Sequence, residues 1–299
     1  MSLIDFLPEH EEKKPGLMII DFSQIALSTI FAAFKPNELY TTIQLKTTIL
    51  NTLRANIKRF KDKHPEVVIA IDARDYWRKS VASYYKAHRA GHRDASPWDF
   101  KIIYEAMNSL EQDLINNFPY KVLNIYRCEA DDIAGVLVKH YHNKYENIML
   151  ISSDGDWTQL QKYPNVKQYS SIQGKFVRPK QGTAQATLLY KIIKGDKKDA
   201  VANIRSPKDA VITGTRQTSI SEKEFEKWSK LKPEEFCTES MLERFKENEK
   251  LLDLSMVPDE YEKSILDAFA QEPKNTRSKI YPYLIKNGFS QMIDKINDF

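Results

Sequence analysis

Two hydrophobic rhythms alternate along the first half of the chain. Short continuous apolar runs are separated by longer stretches in which apolar positions recur every three or four residues. The first pattern predicts strands buried on both faces, the second amphipathic helices. Strands are predicted at Leu17–Ile20, Val67–Ile71, Lys121–Ile125 and Asn147–Ser153. Helices are predicted over Gln24–Phe34 with Ser23 as N-cap, roughly Thr41–Lys61, Pro97–Phe118 with the proline in the first turn, and from Ile133 onward. Alternation of this kind predicts an α/β fold, with a mostly parallel central sheet and helices on both faces. Val166–Ser170 and Lys175–Arg178 read as a hairpin around Gly174 or as edge strands, and Ala184–Lys194 as a helix. Beyond residue 215 the chain is rich in lysine and glutamate and helical in pattern, broken at Pro233, Pro258 and Pro273. A helical second layer, rather than an independent domain, is expected there.

The strands share an ending. The first runs straight into Asp21 and the second into Asp72, while Ile148–Ile151 leads through Ser152-Ser153 to Asp154-Gly155-Asp156. Ligands of open α/β sheets sit just beyond the carboxyl ends of the strands. Further acids start the helix after the third strand, at Glu129, Asp131 and Asp132, and two more follow residue 194, at Asp196 and Asp199. Singly, each has an ordinary explanation as a turn, an N-cap or a complement to the helix dipole. Together at one sheet edge, so many carboxylates repel one another severely unless cations sit among them. Mg²⁺ takes a few carboxylates and keeps several waters. Two such ions about 4 Å apart suit phosphodiester hydrolysis, activating water and stabilising the in-line transition state.

Composition narrows the class. The 299 residues are 29% charged and 41% hydrophobic, ordinary for a globular chain, and the net charge is only +4. Two cysteines, Cys128 and Cys237, make neither a disulfide framework nor a zinc site and suit a reducing cytosol. No apolar stretch of about 18 residues and no signal-peptide pattern is present, so membrane insertion and secretion are not expected. A GxxxxGK[ST] phosphate loop is missing, which excludes motor chemistry of that type. Charge distribution says more than the sum. Residues 74–95 carry six basic side chains, Arg74, Arg78, Lys79, Lys86, Arg89 and Arg93, interleaved with Trp77, Tyr84 and Tyr85. Basic groups neutralise phosphates and rings stack on splayed bases. A solvated amphipathic helix is the plainer reading of the same stretch.

Ile-Asp-Phe-Ser at 20–23, Ile-Asp at 71–72, Glu-Ala-Asp-Asp at 129–132, Ser-Ser-Asp-Gly-Asp at 152–156 and Gly-Asp-Lys-Lys-Asp at 195–199 occur in this order in the flap-endonuclease (5′-nuclease) family. Over residues 15–299 the chain resembles its bacteriophage ribonuclease H branch. The resemblance implies a PIN-like core, and a 5′→3′ exonuclease and flap endonuclease that removes RNA primers and short adjoining DNA from lagging-strand fragments, leaving 5′-phosphates. It implies two Mg²⁺ ions, with Mn²⁺ a substitute. It assigns Asp21, Asp72, Glu129 and Asp131 to the first ion, Asp154 between the two, and Asp156, Asp196 and Asp199 to the second. Asp132 is either a ligand or a helix cap. Tyr85-Lys86-Ala87-His88-Arg89 resembles the family's Tyr-Lys-x-x-Arg arch, where Lys86 and Arg89 would hold the scissile phosphate; Arg78, Tyr85 and Arg93 are further nucleic-acid candidates. Asp199 is followed by Ala200 and a segment with only Gly214, so the Gly-rich hairpin of many members is altered. Lys197 and Lys198, expected to point away from the acids, remain candidates for duplex phosphates.

Three parts are expected: a tail (1–14), the nuclease core (15–182, with the arch at 74–95), and a helical carboxyl-terminal region (183–299) with a duplex-binding helix-turn-helix-like segment. In the tail, Leu3, Ile4, Asp5, Phe6 and Leu7 are similar to peptides that dock on sliding clamps. The resemblance also places a single-stranded-DNA-binding protein at the carboxyl-terminal region. A monomer acting on RNA–DNA and DNA duplexes with 5′ ends or flaps, in the host cell's cytoplasm, is expected. The rival from another class is a nucleic-acid-binding replication accessory module with a vestigial metal site, but no expected carboxylate is missing from the sequence. An aspartyl phosphatase would want Asp-x-Asp after the first strand, where this chain has Asp21-Phe22-Ser23.

Overall fold

A computed structural model describes residues 14–299; the peptide Leu3–Leu7 lies outside the described residues. The six strands are β1 (Lys14–Asp21), β2 (Glu66–Ile71), β3 (Lys121–Asn124), β4 (Tyr145–Ile151), β5 (Val166–Ser170) and β6 (Lys175–Val177). They form one sheet in the order β3-β2-β1-β4-β5-β6, parallel except for β6. The antiparallel β5–β6 pair is the expected hairpin, and Gly174 takes the left-handed turn conformation at φ 64°. β1 is central because Leu17, Met18, Ile19 and Ile20 are all fully buried. Successive residues of a strand point to opposite faces. Met18 and Ile20 enter one core, Leu17 and Ile19 the other.

The first core is closed by α1 (Phe22–Ala33), α2 (Thr42–Phe60) and α5 (Phe100–Asn117). Between β2 and α5 the basic segment makes two short helices, α3 (Arg78–Val81) and α4 (His88–Asp94). The second core is closed by α6 (Ala130–Tyr141). Thr41 caps α2 in a reciprocal pair with Gln44, as the boundary predicts. Strand ends shift by one to three residues, β4 for instance ending at Ile151 rather than Ser153, and two helix starts differ from the sequence reading. Asp21, not Ser23, caps α1, because the strand passes into the helix with no linker and its last residue is the first to offer a carboxylate. Asp99 caps α5, so Pro97 stands before the helix rather than in its first turn; Asp99 accepts from the amides of both Lys101 and Ile102.

The remaining helices are α7 (Ala184–Lys194), α8 (Glu222–Trp228), α9 (Pro233–Phe236), α10 (Glu239–Leu252), α11 (Asp259–Phe269) and α12 (Ile280–Lys286). They pack back onto the sheet layers: Ile265 and Phe269 of α11 join the second core, and Ile280, Tyr283, Leu284 and Phe299 join the first. A third cluster joins Tyr84 and Tyr85 of the arch to α7, α8 and α10. No described helix is long and apolar enough to cross a membrane.

Candidate active site

From β3 the chain steps across the sheet to β4, which lies on the far side of β1. The reversal of strand order therefore falls between β1 and β4, where open α/β sheets bind ligands. Register sets the levels: Ile20 pairs with Ile151, so Asp21 stands beside Ser152, and Ala70 pairs with Asp21, so Asp72 stands just above. The Ser152 hydroxyl donates to Asp21 Oδ2 at 2.8 Å and accepts from the Asp154 amide at 3.1 Å. One buried hydroxyl thus holds acids from two strands. Asp72 accepts from the Ala130 amide (2.8 Å), closing the start of α6 from the neighbouring strand. Asp154 in turn caps a 3-10 helix, Gly155–Lys162, through the Asp156 amide at 3.0 Å. Behind it, Gln168 of β5 donates to the carbonyls of Ser152 and Asp154 at 2.9 and 2.7 Å.

Asp131 projects from the first turn of α6 and accepts from the Trp157 indole N–H at 2.6 Å. Its neighbours in the acidic run face elsewhere. Glu129 is 2% exposed and accepts from Tyr85 Oη (3.1 Å), Arg78 Nη1 (3.0 Å) and the Lys86 ammonium. Asp132 is fully buried among Arg78, the Trp77 indole and the Glu129 amide. Its carboxylate is consumed by protein donors, so of its two expected roles the structure supplies the helix cap. Asp196 caps the short 3-10 turn Lys197–Asp199, and Lys191 of α7 bridges Asp196 to Asp156.

Burial and mutual repulsion leave a clear electrostatic signature. Burial, with Asp72 and Asp154 nearby, pushes Asp21 up to about 8 against the help of Ser152 and Gln24. Burial also raises Asp131 well above the usual carboxylate range, with Asp154, Glu129 and Asp156 adding to it and Lys86 opposing. Asp156 is pushed to about 6 by burial, against Lys191. Burial alone would raise Asp154 as well, but Lys198, the Asp156 amide, Lys191 and Lys86 hold it low. The acids from β1, β2, α6, the Asp154–Asp156 turn and the Asp196–Asp199 turn lie close enough to perturb one another. Among the described residues no three of them close on a single point. The ammonium groups of Lys86, Lys191 and Lys198 stand between them instead.

The basic residues divide in two. Arg89 pairs with Asp199 Oδ1 at 2.7 Å and its side chain is 42% exposed; Lys86 is buried, 9% exposed, but its ammonium lies among the acids, against Glu129 and 3.7 Å from the same Asp199 oxygen. Arg93, Lys197 and Lys198 are exposed. Lys198, expected to point away from the acids, reaches to 3.6 Å from Asp154 because the 3-10 turn folds it back. Arg78 and Tyr85 are corrections. Arg78 is 1% exposed, paired to Glu129 and Asp132 and donating to the Leu251 carbonyl at 2.9 Å, so it has no face for a phosphate. Tyr85 is 2% exposed, with its ring inside the third cluster rather than open to a base. An amphipathic stretch announces basic and aromatic side chains, but not which of them turn inward. Sequence reasoning missed Ser152, Trp157, Gln168 and Lys191. Only the adjacency of Ser152 and Trp157 to the acidic motif offers a signal.

A family model described as the 5′-3′ exonuclease N-terminal resolvase-like domain matches residues 16–188, and one described as the T4 RNase H carboxyl-terminal domain matches residues 182–299. The chain belongs to the 5′-3′ exonuclease family and is a nuclease. Within that class it is similar to Ribonuclease H of Enterobacteria phage T4, 38% identical over 297 residues that cover 97% of each chain. The fold is also that of the bacteriophage T5 flap endonuclease in a pseudo-enzyme–product complex with DNA and metal ions. The TM-score is 0.61 at 17% identity, covering 86% of this chain and 100% of that one. The T5 5′-exonuclease with bound zinc matches with a TM-score of 0.59 at 18% identity, covering 85% and 99%.

Proposed function

We propose that this nuclease is a Mg²⁺-dependent 5′→3′ exonuclease and flap endonuclease that removes RNA primers and short adjoining DNA, leaving 5′-phosphates. The observation that carries the reading is the meeting of acids from five separate segments at the point where the strand order reverses. The donor set suits a hard divalent ion. It is all carboxylate oxygen, and burial, with repulsion from neighbouring acids added to it, raises Asp21, Asp131 and Asp156, a cost that a bound cation would relieve. Asp21, Asp72 and Asp131 would surround the first ion, some through water, and Glu129 would join them on giving up Lys86 to the substrate phosphate, with Asp154 shared and Asp156, Asp196 and Asp199 around the second. When bound, such ions supply an activated water and stabilise the charge of the in-line transition state.

The protein's own groups do the rest. Lys86 and Arg89, which pair with Glu129 and Asp199 in the structure, hold the scissile phosphate or its neighbour once substrate arrives. Arg93, Lys197 and Lys198 contact phosphates further along the duplex. Trp157 and Ser152 orient carboxylates, and Arg78, Asp132 and Tyr85 fix Glu129 from within. Residues 15–182 are the nuclease core, and 183–299 hold the duplex. The T4 and T5 relatives support the substrate class, and the T5 complex with DNA and metal ions supports a site that takes both. A sliding clamp at residues 2–7, a single-stranded-DNA-binding protein at the carboxyl-terminal helices and action in the host cytoplasm belong to the same proposal. Digestion of a 5′-labelled RNA-primed template with and without Mg²⁺ tests it. Short labelled products that need Mg²⁺ are expected; cleavage that survives EDTA contradicts the metal, and Mg²⁺-independent binding with no product favours the accessory-module reading.

A further inference from the structure

Helix α10 is tied by side-chain hydrogen bonds to three segments that build the site. A helix leaves its last carbonyls without intrahelical partners. Here Arg78 of the arch donates to the Leu251 carbonyl at 2.9 Å. Gln159, in the 3-10 helix behind Asp154 and Asp156, donates to the Leu252 carbonyl at 3.1 Å and accepts from the Leu254 amide at 2.9 Å. One turn earlier, fully buried Asn248 donates to the carbonyls of Ile192 and Ala202 at 2.8 and 2.9 Å. Those two carbonyls bracket the turn that carries Asp196 and Asp199.

Arg244, one turn further back, completes the link. Its guanidinium donates to the Tyr84 hydroxyl at 3.1 Å, to Asn248 Oδ1 at 3.0 Å and to the Ala202 carbonyl at 3.4 Å, and Glu247 pairs with it. Tyr84 is 8% exposed and lies in the same apolar cluster as Phe245 and Leu251. Two residues later, Lys86 has a left-handed backbone, φ 54°, unusual for a non-glycine residue, and its amide donates to the Asp199 carbonyl at 3.0 Å. Such a conformation persists only where its surroundings hold it. The arch root at Tyr84 and the turn at Asp199 both hold it, and one guanidinium spans Tyr84 and the Ala202 carbonyl just past that turn.

We propose that Arg244 is a positioning residue. It fixes Tyr84 and the Asp196–Asp199 turn in one register and so sets where Lys86 stands relative to the acids. The consequence for cleavage rests on the nuclease reading above; the positioning itself does not. The experiment compares Arg244→Ala, Arg244→Lys, Tyr84→Phe and the double variant Tyr84→Phe with Arg244→Ala. Hydrogen exchange of amides 84–89, on protein without substrate, should quicken about tenfold in Arg244→Ala and Tyr84→Phe, the factor one lost hydrogen bond to a charged donor carries. Exchange in β1 and β4 should not change. On a 5′-flap substrate, kcat should fall about tenfold with KM within roughly twofold, Arg244→Lys should recover part of it, and the double variant should be no worse than the worse single. Arch amides that exchange at the wild-type rate in Tyr84→Phe, or losses that multiply in the double variant, overturn the proposal. Tyr84→Phe removes only a hydroxyl, so it carries the test if Arg244→Ala fails to fold. Quickened exchange in a chain that leaves the 5′ flap uncut even before mutation would leave the positioning standing and remove the flap-endonuclease reading.

Discussion

Ser152→Ala is the sharpest small perturbation the site allows. The side chain is fully buried, and alanine differs by one oxygen, so packing barely changes. Two hydrogen bonds go: one to Asp21 at 2.8 Å and one from the Asp154 amide at 3.1 Å. The bond to Asp21, which is raised to about 8, contributes roughly 0.5–1.5 kcal/mol while that acid is neutral and about 1.5–3 once it is ionised, and an amide left unsatisfied in the interior costs about 1–3 kcal/mol. The two losses share an atom and do not simply add, so a destabilisation of about 3 kcal/mol is expected. For a chain of this size that lowers Tm by roughly 5 °C. The activity effect has a different signature. Asp21 and Asp154 lose the hydroxyl that fixes their separation, and loss of such an outer partner typically costs about 10–100-fold in metal affinity or activity. The Mg²⁺ concentration for half-maximal single-turnover cleavage should therefore rise at least about tenfold, with most of the rate returning at saturating metal. Thermal unfolding and a Mg²⁺ titration of cleavage measure the two effects. A variant with wild-type Tm and an unchanged half-saturating concentration would refute the view that this hydroxyl couples the acids of β1 and β4.

Asp131→Asn and Asp154→Asn should each keep the fold and bind a flap duplex in a gel-shift assay, yet abolish cleavage. Arg78→Met should destabilise by about 3–5 kcal/mol in urea unfolding, since it strands Asp132 as a buried charge without its cation and leaves Glu129 with Lys86 alone; a neutral result would mean that the two acids are not ionised together. Deleting residues 2–7 should leave nuclease turnover intact on a naked substrate and remove stimulation by a sliding clamp, and turnover that falls without the clamp would place the tail's role elsewhere.

The corrections follow one physical pattern. Strand and helix positions were readable because burial on two faces, or on one helical stripe, demands apolar residues at fixed spacing. Boundaries slipped where several polar residues compete for the same orphan amides: Asp21 and Ser23 both offer a cap, and only the chain's path into α1 selects Asp21. Residues 74–95 slipped for a related reason. Arg78 and Arg89 are the same residue type in the same stretch, yet one is 1% exposed and the other has a side chain 42% exposed. What separates them is α10, far along the chain, whose free carbonyl at Leu251 draws Arg78 inward together with the buried acids Glu129 and Asp132.

Taken alone, the sequence determined the α/β alternation, the acids at the strand ends and the family likeness, because each of these is written in neighbouring residues. Only the tertiary structure decided that β4 lies beside β1, which brings Asp154 level with Asp21. It also decided which lysines stand among the carboxylates, and that Asp132 serves the interior while Asp131 serves the rim. The reason is that charge and hydrogen bonding depend on distance in space, which the packing of remote segments sets, whereas hydrophobic periodicity depends on distance along the chain.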